Sequence, residues 1–444
     1  MADDWPFALG RLFCLFCIAL LTCSARADPD TAVDLTLKCP DYVASHAPLV
    51  WLHSDDPYMP TDLQTHILHT TAMLDGKPIP NLPPLNLDNL EILNEYGGRV
   101  ALTSNDDPTK PDFPEWLLGE APDETGKIHN STPCVVILVD RSPTDVDAFY
   151  FYFYAFNEGA NITQVMEPFD RFIGGGKAAS GMHFGNHIGD WEHNMVRFQD
   201  GKPIGIYYSQ HIDGRGYYWD DSTLNITDDG RPIVYSGRGA HANYPEPGHQ
   251  IHNEALFDYC DEGKIWDPVL SAYFYRFDPA TFTLTRLNPP NQESSSPPTS
   301  NLTSFFYFTG LWGDRRWPDS DPRQLTVPRF GLKRFRDGPT GPRHKHLVRK
   351  GLTPDHMRKL GWMEWSVGVY MWLYPCCLKG WRAWITTGVI VVFLSGIVLA
   401  IRFGVRRMRG GISTYKKLQT EDMQLDDWGR EDEALFSSSD DESD

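Results

Sequence analysis

Residues Asp190–His211 read DWEHNMVRFQDGKPIGIYYSQH, in which two strand-like runs flank the dipeptide Asp200-Gly201. Asp-Gly between two such runs is a strong signal for a β-hairpin with a two-residue turn. With that dipeptide as the loop, Gln199 faces Lys202, and this pairing sets the register of the whole hairpin. The stretch therefore predicts two adjacent antiparallel strands.

One face near the open end of this hairpin gathers ionisable side chains. The register places Asp190 opposite His211 and Glu192 opposite Ser209, and strand alternation puts the two carboxylates on the same face. His187 lies three residues before Asp190 in a glycine-rich loop, and it can fold over the same spot. Carboxylate and imidazole ligands together suit Mn²⁺, Mg²⁺, Ca²⁺ or Zn²⁺. We therefore expect one divalent metal ion, of unspecified identity, bound by His187, Asp190, Glu192 and His211.

Other histidines surround this group. The stretch Gly181–His193, GMHFGNHIGDWEH, contains His183 as a further binding candidate. His241 follows a strand end and a glycine, where loop-borne site residues are usually presented, and it is the second binding candidate. His193 shares its strand face with Trp191 and is expected in the core. The chain has no G-x-S-x-G motif, so a serine hydrolase has little support, and the sequence assigns no catalytic residue.

The rest of the chain predicts a mainly β fold. Residues Ala148–Phe156, AFYFYFYAF, form an almost unbroken aromatic run, which is typical of a strand buried on both faces. Further short strand-like segments lie between turn-forming clusters, and the 444 residues include 34 prolines and 37 glycines. This pattern favours a β-sandwich with long loops. The net charge of −19 argues against nucleic acid as a partner.

An apolar run near the N-terminus predicts entry into the secretory pathway. Leu12–Cys23 has the length of a signal-peptide core, and Ala25-Arg26-Ala27 follows as an A-x-A cleavage pattern. Residues 1–27 are therefore predicted to be a cleaved signal peptide. An uncleaved signal anchor or a buried helix is the alternative.

A second apolar run predicts a membrane helix over residues 383–401. Its nineteen residues carry no charge, which is enough to cross a bilayer core of ~30 Å. Four arginines follow within eight residues, and the positive-inside rule then assigns that side to the cytosol. The result is a type I single-pass protein with a lumenal β-rich domain over residues 28–382. A disordered acidic cytosolic tail covers residues 402–444. A buried core helix is the alternative for this run.

Short motifs on both sides of the membrane helix agree with this topology. Four N-x-S/T sequons fall in the lumenal part and predict glycosylation at Asn130, Asn161, Asn225 and Asn301. In the tail, Tyr415 to Leu418 matches a Y-x-x-Φ signal, and Glu431 to Phe436 (EDEALF) is like an acidic dileucine signal, with Leu435 and Phe436 in the last two places. These tail motifs predict contact with a clathrin adaptor.

Six ordered segments resemble the fungal vacuolar protein sorting-associated protein 62 family and related plant proteins of unknown function. The resemblance implies a role in protein targeting to the vacuole, and it implies no catalytic residues. The segments are HAPLVWLHSDDPYMPTDL (46–63), NHIGDWEHNMVRF (186–198), YYSQH (207–211), RPIVYSGRGAHANYPEPG (231–248), WGDRRWPDSDPRQ (312–324) and GPTGPRHK (338–345).

The same central motif is more distantly similar to the necrosis- and ethylene-inducing peptide cytolysins. That family has a β-sandwich fold, and its H-R-H-D-W-E motif binds a divalent cation and supports sphingolipid recognition. Alignment on Asp-Trp-Glu maps its first histidine onto His187 and its two acids onto Asp190 and Glu192. Its second histidine falls on Gly189, so the chain departs from the motif at that position.

Three functions remain open at this point. The first is a type I glycoprotein of the Golgi, endosome or vacuole membrane whose lumenal domain binds cargo, glycan or a lipid such as a sphingolipid. The second is a metal-dependent hydrolase in which the predicted metal ligands and His241 hold a metal-activated water. The third is a structural interaction domain without metal, in which the motif serves as a folding core.

Overall fold

The structure, a computed structural model, describes residues 37–161, 183–211, 213–251, 257–290, 300–327, 332–355, 369, 377 and 380–437. The chain divides into two compact units, Met1–Lys359 and Leu360–Asp444. The predicted signal peptide, residues 1–27, lies outside the described residues.

Strands dominate the first unit. In chain order they are β1 (Leu49–Leu52), β2 (Thr70–Leu74), β3 (Lys77–Pro78), β4 (Val100–Ser104), β5 (Cys134–Asp140), β6 (Asp145–Asn157), β7 (Ala160–Asn161), β8 (His183–Phe184), β9 (His187–Gln199), β10 (Lys202–Gln210), β11 (Asp213–Tyr218), β12 (Ile233–Ser236), β13 (Asn243–Tyr244), β14 (Gly248–Ile251), β15 (Phe257–Cys260), β16 (Lys264–Trp266), β17 (Ala272–Asp278), β18 (Thr283–Leu287), β19 (Thr326–Val327) and β20 (Leu332–Lys333). The helices are α1 (Asp41–Ser45), α2 (Leu63–Leu68) and α3 (Ser304–Tyr307) in this unit and α4 (Trp381–Ser437) in the second, with 3₁₀ turns at Leu90–Tyr96, Glu115–Leu118, Pro268–Ser271 and Pro342–His344. The prediction of a mainly β fold is confirmed.

The largest sheet has seven strands in the order β11-β10-β9-β6-β5-β17-β18. The central strands β6 and β9 are thirteen residues long, and they run antiparallel with Tyr154 opposite Asp190. Residues Val146–Asn157 of β6 are all buried. This confirms the prediction that Ala148–Phe156 is covered on both faces.

Strand alternation divides the aromatic side chains of β6 between two cores. Three phenylalanines point to one face and pack with Trp191 and with apolar residues of α2, β4 and α3. Three tyrosines point to the other face and pack with apolar residues of β1, β12 and β16. The two sets are Phe149, Phe151 and Phe153, and Tyr150, Tyr152 and Tyr154.

A four-stranded sheet, β13-β12-β1-β16, covers the tyrosine face. Trp266 of β16 meets the ring of Tyr152 edge-on, with 5.2 Å between ring centroids. The Tyr150 hydroxyl donates to the carbonyl oxygen of Val43 at 2.6 Å. This bond lets the Tyr150 phenol enter the core without losing its hydrogen-bond partner.

The hairpin of β9 and β10 has the predicted turn but a different register beyond it. Gln199 pairs with Lys202, as expected, and the register then shifts by one residue between Pro203 and Gly205. Ile204 is the extra residue of this β-bulge. Proline has no N–H to donate to the ladder, so an irregularity at this point is physically reasonable.

The bulge makes the predicted strand pairs of the site wrong. Tyr208 pairs with Asn194, where the unbroken register would place His193, and the paired part of this ladder ends there. Ser209 and His211 therefore do not face Glu192 and Asp190 as strand partners. The predicted alternation of β9 is confirmed, because Trp191 points into the phenylalanine-side core.

Three cysteines of the first unit are free thiols in the structure. They are Cys39, Cys134 and Cys260, and all three are buried. Burial is the main cause that raises the pKa of the Cys39 thiol to about 12, and it also raises the pKa values of the other two.

The second unit contains the long helix α4. Its segment Trp384–Arg409 is long and apolar enough to cross a membrane, with a mean hydropathy of 2.4, and it contains most of the span predicted over residues 383–401. Where the sequence predicts a disordered tail from residue 402, α4 continues to Ser437 and includes the positions of both sorting motifs. Arg, Lys, Leu, Glu, Gln and Met together make up almost half of residues 402–437, and these residues favour helix.

Candidate functional site

A cavity of about 650 Å³ lies beside the first half of β9 in the first unit. Its walls come from β6 to β9, from the residue after β10, from β15 and from segments between residues 316 and 345. All four predicted metal ligands line it: His187, Asp190, Glu192 and His211. The sequence therefore identified residues that the fold brings to one cavity.

Gly189 shapes the wall between His187 and Asp190. Its φ of 70° lies in the left-handed region that favours glycine. A Cβ at this position would overlap the carbonyl oxygen of Trp312. Gly189 aligns with the second histidine of the cytolysin motif, and this fold therefore has no room for a side chain at that position.

Asp190 is held from behind by His241. The Nδ1 of His241 lies 3.0 Å from Asp190 Oδ2, and its Nε2 lies 3.8 Å from Asp56 Oδ2. The imidazole also stacks on Tyr154, with 3.7 Å between ring centroids. His241 is 1 % exposed and does not line the cavity. It is therefore placed to position Asp190, whereas the sequence predicted that His241 binds a ligand directly.

The Asp190–His241 contact is an ion pair. Burial alone would raise the pKa of Asp190, but the hydrogen bond from His241 and the charges of His187 and Lys345 outweigh it and lower the pKa. Burial alone would lower the pKa of His241, but Asp190 and Asp56 outweigh it and raise the pKa. The carboxylate and the imidazolium thus stabilise each other's charged forms.

Glu192 has a different environment from Asp190, although it lies two residues away on the same face. It accepts a hydrogen bond from Ser209 Oγ, and Ser209 Oγ in turn accepts one from the backbone N–H of His193 at 2.8 Å. Burial, followed by the charge of Asp190, raises the pKa of Glu192 to about 7. Near neutral pH the pair therefore carries less than two full negative charges.

His211 is fixed by a carboxylate that the sequence did not single out. Its Nε2 lies 2.8 Å from Asp258 Oδ2, and the Tyr244 hydroxyl donates to the same oxygen at 2.6 Å. Burial alone would lower the pKa of His211, but Asp258 outweighs it and raises the pKa. Asp258 lies on β15 without a recognisable motif, so no local signal identifies it.

His183 lies at the edge of this region. Its Nδ1 is 2.8 Å from the carbonyl oxygen of Gly159, a cavity-lining residue, and its Nε2 is 3.2 Å from the side-chain amide of Asn161. His183 itself does not line the cavity. Its contacts hold β7 against β8, so binding by His183 remains a prediction.

The lining of the cavity also contains basic side chains, which the sequence did not predict. Arg316, Lys333, Arg336 and Lys345 line it. The last three belong to residues 329–349, a locally basic stretch of the sequence. The sequence signal was present in the motifs WGDRRW and GPRHK, but no periodicity connects them to β9.

The predicted metal ligands are engaged with protein partners. His187 Nδ1 lies 2.6 Å from the carbonyl oxygen of Gly189, which leaves Nε2 as the possible ligand atom. Asp190, Glu192 and His211 contact His241, Ser209 and Asp258, as described above. Across the described parts of the chain, no group of three or more His, Cys, Asp or Glu side chains is arranged to hold a metal ion. The residues share a cavity but do not form a coordination shell in this conformation.

Comparison with solved structures gives similarity to necrosis-inducing proteins. "Necrosis and Ethylene inducing Protein 2 from the causal agent of cocoa's Witches Broom disease" is 15% identical, with 48% of this chain and 73% of that chain covered and a TM-score of 0.22. The "non-toxic HaNLP3 protein" is 11% identical, with 52% and 73% covered and a TM-score of 0.23.

Comparison with known sequences identifies the family. Residues 38–259 match the model of vacuolar protein sorting-associated protein 62. The "Putative vacuolar protein sorting-associated protein TDA6" of Saccharomyces cerevisiae is 33% identical over 364 residues, which cover 74% of this chain and 71% of that protein. Vacuolar protein sorting-associated protein 62 of the same organism is 33% identical over 343 residues, which cover 70% and 67%. The chain belongs to the vacuolar protein sorting-associated protein 62 family.

Proposed function

We propose that the chain is a single-pass membrane protein of the vacuolar route whose β-rich unit is a lumenal β-sandwich that binds a polar ligand in the cavity beside β9. The ligand is cargo, a glycan or a lipid headgroup. The family supports the route, and the apolar segment of α4 supports the membrane anchor. The observation that carries the binding proposal is the cavity itself. Its volume of about 650 Å³ lies within the usual range for ligand sites.

The side chains of the cavity are held in place before any ligand arrives. Asp190 is fixed by His241, and Glu192 is fixed by Ser209. His211 is fixed by Asp258. Each contact limits the rotamers of a lining residue, so less conformational entropy is lost when a ligand binds. This favours a binding site over a solvated surface.

A glycan and lipid-headgroup array probed with the full-length protein tests this proposal. We expect at least one class of ligand to bind, and Asp190→Asn to weaken that binding by ~10-fold or more, because a charged hydrogen-bond acceptor is lost. The matched control is Asp229→Asn on the surface, where the carboxylate contacts Thr227 and lies outside the cavity lining. No binding to any ligand, or equal binding by both variants, contradicts the proposal.

A divalent metal ion at the same site is a second candidate, and the favouring observation is that all four predicted ligands line one cavity. His187, Asp190, Glu192 and His211 would hold the ion, which would supply Lewis acidity to a bound ligand or to water. Metal analysis of the purified full-length protein should then find a stoichiometric ion that Asp190→Asn loses. Metal-free protein with full sorting activity contradicts this candidate, and turnover of ester or glycoside substrates would favour a hydrolase.

The proposed topology has its own test. Asn130, Asn225 and Asn301 are exposed, so we expect endoglycosidase treatment to reduce the apparent mass of the protein in steps that Asn→Gln variants remove. Asn161 is half-buried against His183, which makes it the poorest of the four acceptors. No mass change in any variant contradicts a lumenal β-rich unit.

The tail carries the proposed sorting signals. Tyr415→Ala and a double change of Leu435 and Phe436 to alanine should each redirect a reporter that is fused to the tail, and weaken its capture of clathrin adaptors. A reporter that reaches the vacuole regardless of both changes contradicts the use of these motifs.

A further inference from the structure

Three basic side chains of the cavity make no direct side-chain contact with an acid within the part of the chain that the structure describes. Arg316, Arg336 and Lys345 come from three separate segments, and none forms an ion pair or a side-chain hydrogen bond among the described residues. The fourth cation of the lining, Lys333, differs because it pairs with Asp319. Arg316 and Arg336 are exposed and Lys345 is half-buried, so all three can reach a ligand.

Three carboxylates of the lining are already engaged. Asp190 is paired with His241. Asp258 receives His211 and Tyr244. Asp337 accepts the backbone N–H of Arg316 at 2.9 Å. In a chain with 59 acidic and 40 basic residues, three cations in one cavity lining without an ion pair among the described residues are unexpected.

The basic and the acidic side chains of the lining therefore offer different chemistry. A guanidinium presents donors in a planar fork that fits the oxygens of a phosphate ester, and an ammonium adds a point charge. The same lining holds Asp190 and Glu192, whose oxygens accept hydrogen bonds from hydroxyl groups. A neutral sugar would leave the three cations unused. A ligand that is anionic throughout would offer no donor to the oxygens of Asp190 and Glu192.

We propose that the ligand of this cavity is a phosphorylated polyol, with its phosphate against Arg316, Arg336 and Lys345 and its hydroxyl groups against Asp190 and Glu192. This inference rests on the proposed ligand-binding function and specifies its ligand class. The phosphate belongs either to a soluble sugar phosphate or to an inositol phospholipid headgroup. The charge of Lys345 acts to lower the pKa of both Asp190 and Glu192.

Calorimetric titration of the full-length protein in a polyoxyethylene detergent, which contains no sugar, tests this inference. The probes are glucose 6-phosphate with glucose as its neutral counterpart, and glycerophosphoinositol with myo-inositol. We expect a phosphorylated probe to bind at least ~10-fold more tightly than its neutral counterpart, and this preference to fall as salt rises, because exposed charges are screened. A preference for glucose 6-phosphate indicates a soluble ligand, and a preference for glycerophosphoinositol indicates a lipid headgroup.

Matched double variants locate the effect. Arg316→Gln with Arg336→Gln should abolish the preference for phosphate. Arg315→Gln with Lys350→Gln removes the same net charge from exposed side chains outside the lining, so it should retain the preference. Unfolding midpoints of both variants near that of the parent exclude a folding defect.

Two results overturn the inference. One is equal binding of phosphorylated and neutral probes, and the other is a preference for phosphate that survives the Arg316/Arg336 change. If either result is found and neutral glycans still bind in a way that depends on Asp190, the proposed ligand-binding function stands. Only the assignment of the ligand as a phosphorylated polyol is then wrong. No binding of any probe or array ligand would remove both proposals.

Discussion

Replacing Gly189 with alanine tests how the cavity wall is built. Two costs add at this position. A residue with a Cβ at φ 70° costs ~1–2 kcal/mol. The new Cβ would also overlap the carbonyl oxygen of Trp312 and lie 3.0 Å from its carbonyl carbon. Both are backbone atoms that cannot rotate away, and such overpacking costs ~1–3 kcal/mol. Together they predict a loss of about 2–5 kcal/mol in the free energy of unfolding.

Gly76 provides the matched control. It lies in the two-residue turn between β2 and β3 with a φ of 80°, and nothing lies within 4 Å of a Cβ built there. Gly76→Ala should therefore show only the conformational cost of ~1–2 kcal/mol. Urea unfolding of both full-length variants, followed by tryptophan fluorescence, measures the difference. If Gly189→Ala is no less stable than Gly76→Ala, the packing of Trp312 on β9 is not as tight as the structure has it.

Two further changes test buried charge. Arg197→Met removes two guanidinium bonds of 2.7 and 2.8 Å from Asp147, which is 1 % exposed, and leaves it the longer contact of 3.7 Å with Arg141. We expect urea unfolding to show a loss of ~3–5 kcal/mol in the free energy of unfolding. Arg99→Met, at an exposed ion pair, should lose less than ~1 kcal/mol. Similar losses in the two variants would contradict this expectation. Burial lowers the pKa of His66 from 6.5 to about 3 in the folded protein. As pH falls below 6.5, His66 therefore binds a proton in the unfolded chain before it does so in the folded one. Stability should therefore decline by up to ~1.4 kcal/mol per pH unit in that range. His66→Phe should reduce the slope by that amount, and an unchanged slope would show that His66 is not buried as a neutral ring.

Local patterns were sufficient for the main strands. Asp200-Gly201 predicted the turn, and the aromatic run Ala148–Phe156 predicted the central strand, because both signals depend only on neighbouring residues. The predicted register of the hairpin is wrong beyond Ile204. Pro203 can stand at a strand start, at an edge or beside a bulge, and only the packing of β10 on β9 decides among these.

Tertiary contacts explain what was missed at the site. Asp258 and Lys345 reach the cavity from positions far along the chain, so neither periodicity nor spacing relates them to Asp190. His241 was expected to face a ligand because it follows a glycine. The structure instead folds it behind Asp190, with a φ of 54° and its ring on Tyr154. The sequence was sufficient to identify ionisable residues of this site, but the direction in which each side chain points depends on the fold.

The buried thiols have a consequence for biogenesis. In the oxidising lumen that the proposed topology assigns to the first unit, Cys39, Cys134 and Cys260 are protected only while the sheets that cover them are closed. The attacking species in disulfide exchange is the thiolate, which burial disfavours at all three positions. A chain that leaves synthesis incompletely folded would expose these groups to mixed disulfides and to retention by thiol-dependent quality control. On the proposed topology, completion of the β-sheet layers would therefore be a chemical condition for export. The rate at which a thiol reagent modifies these cysteines reports how often the fold opens.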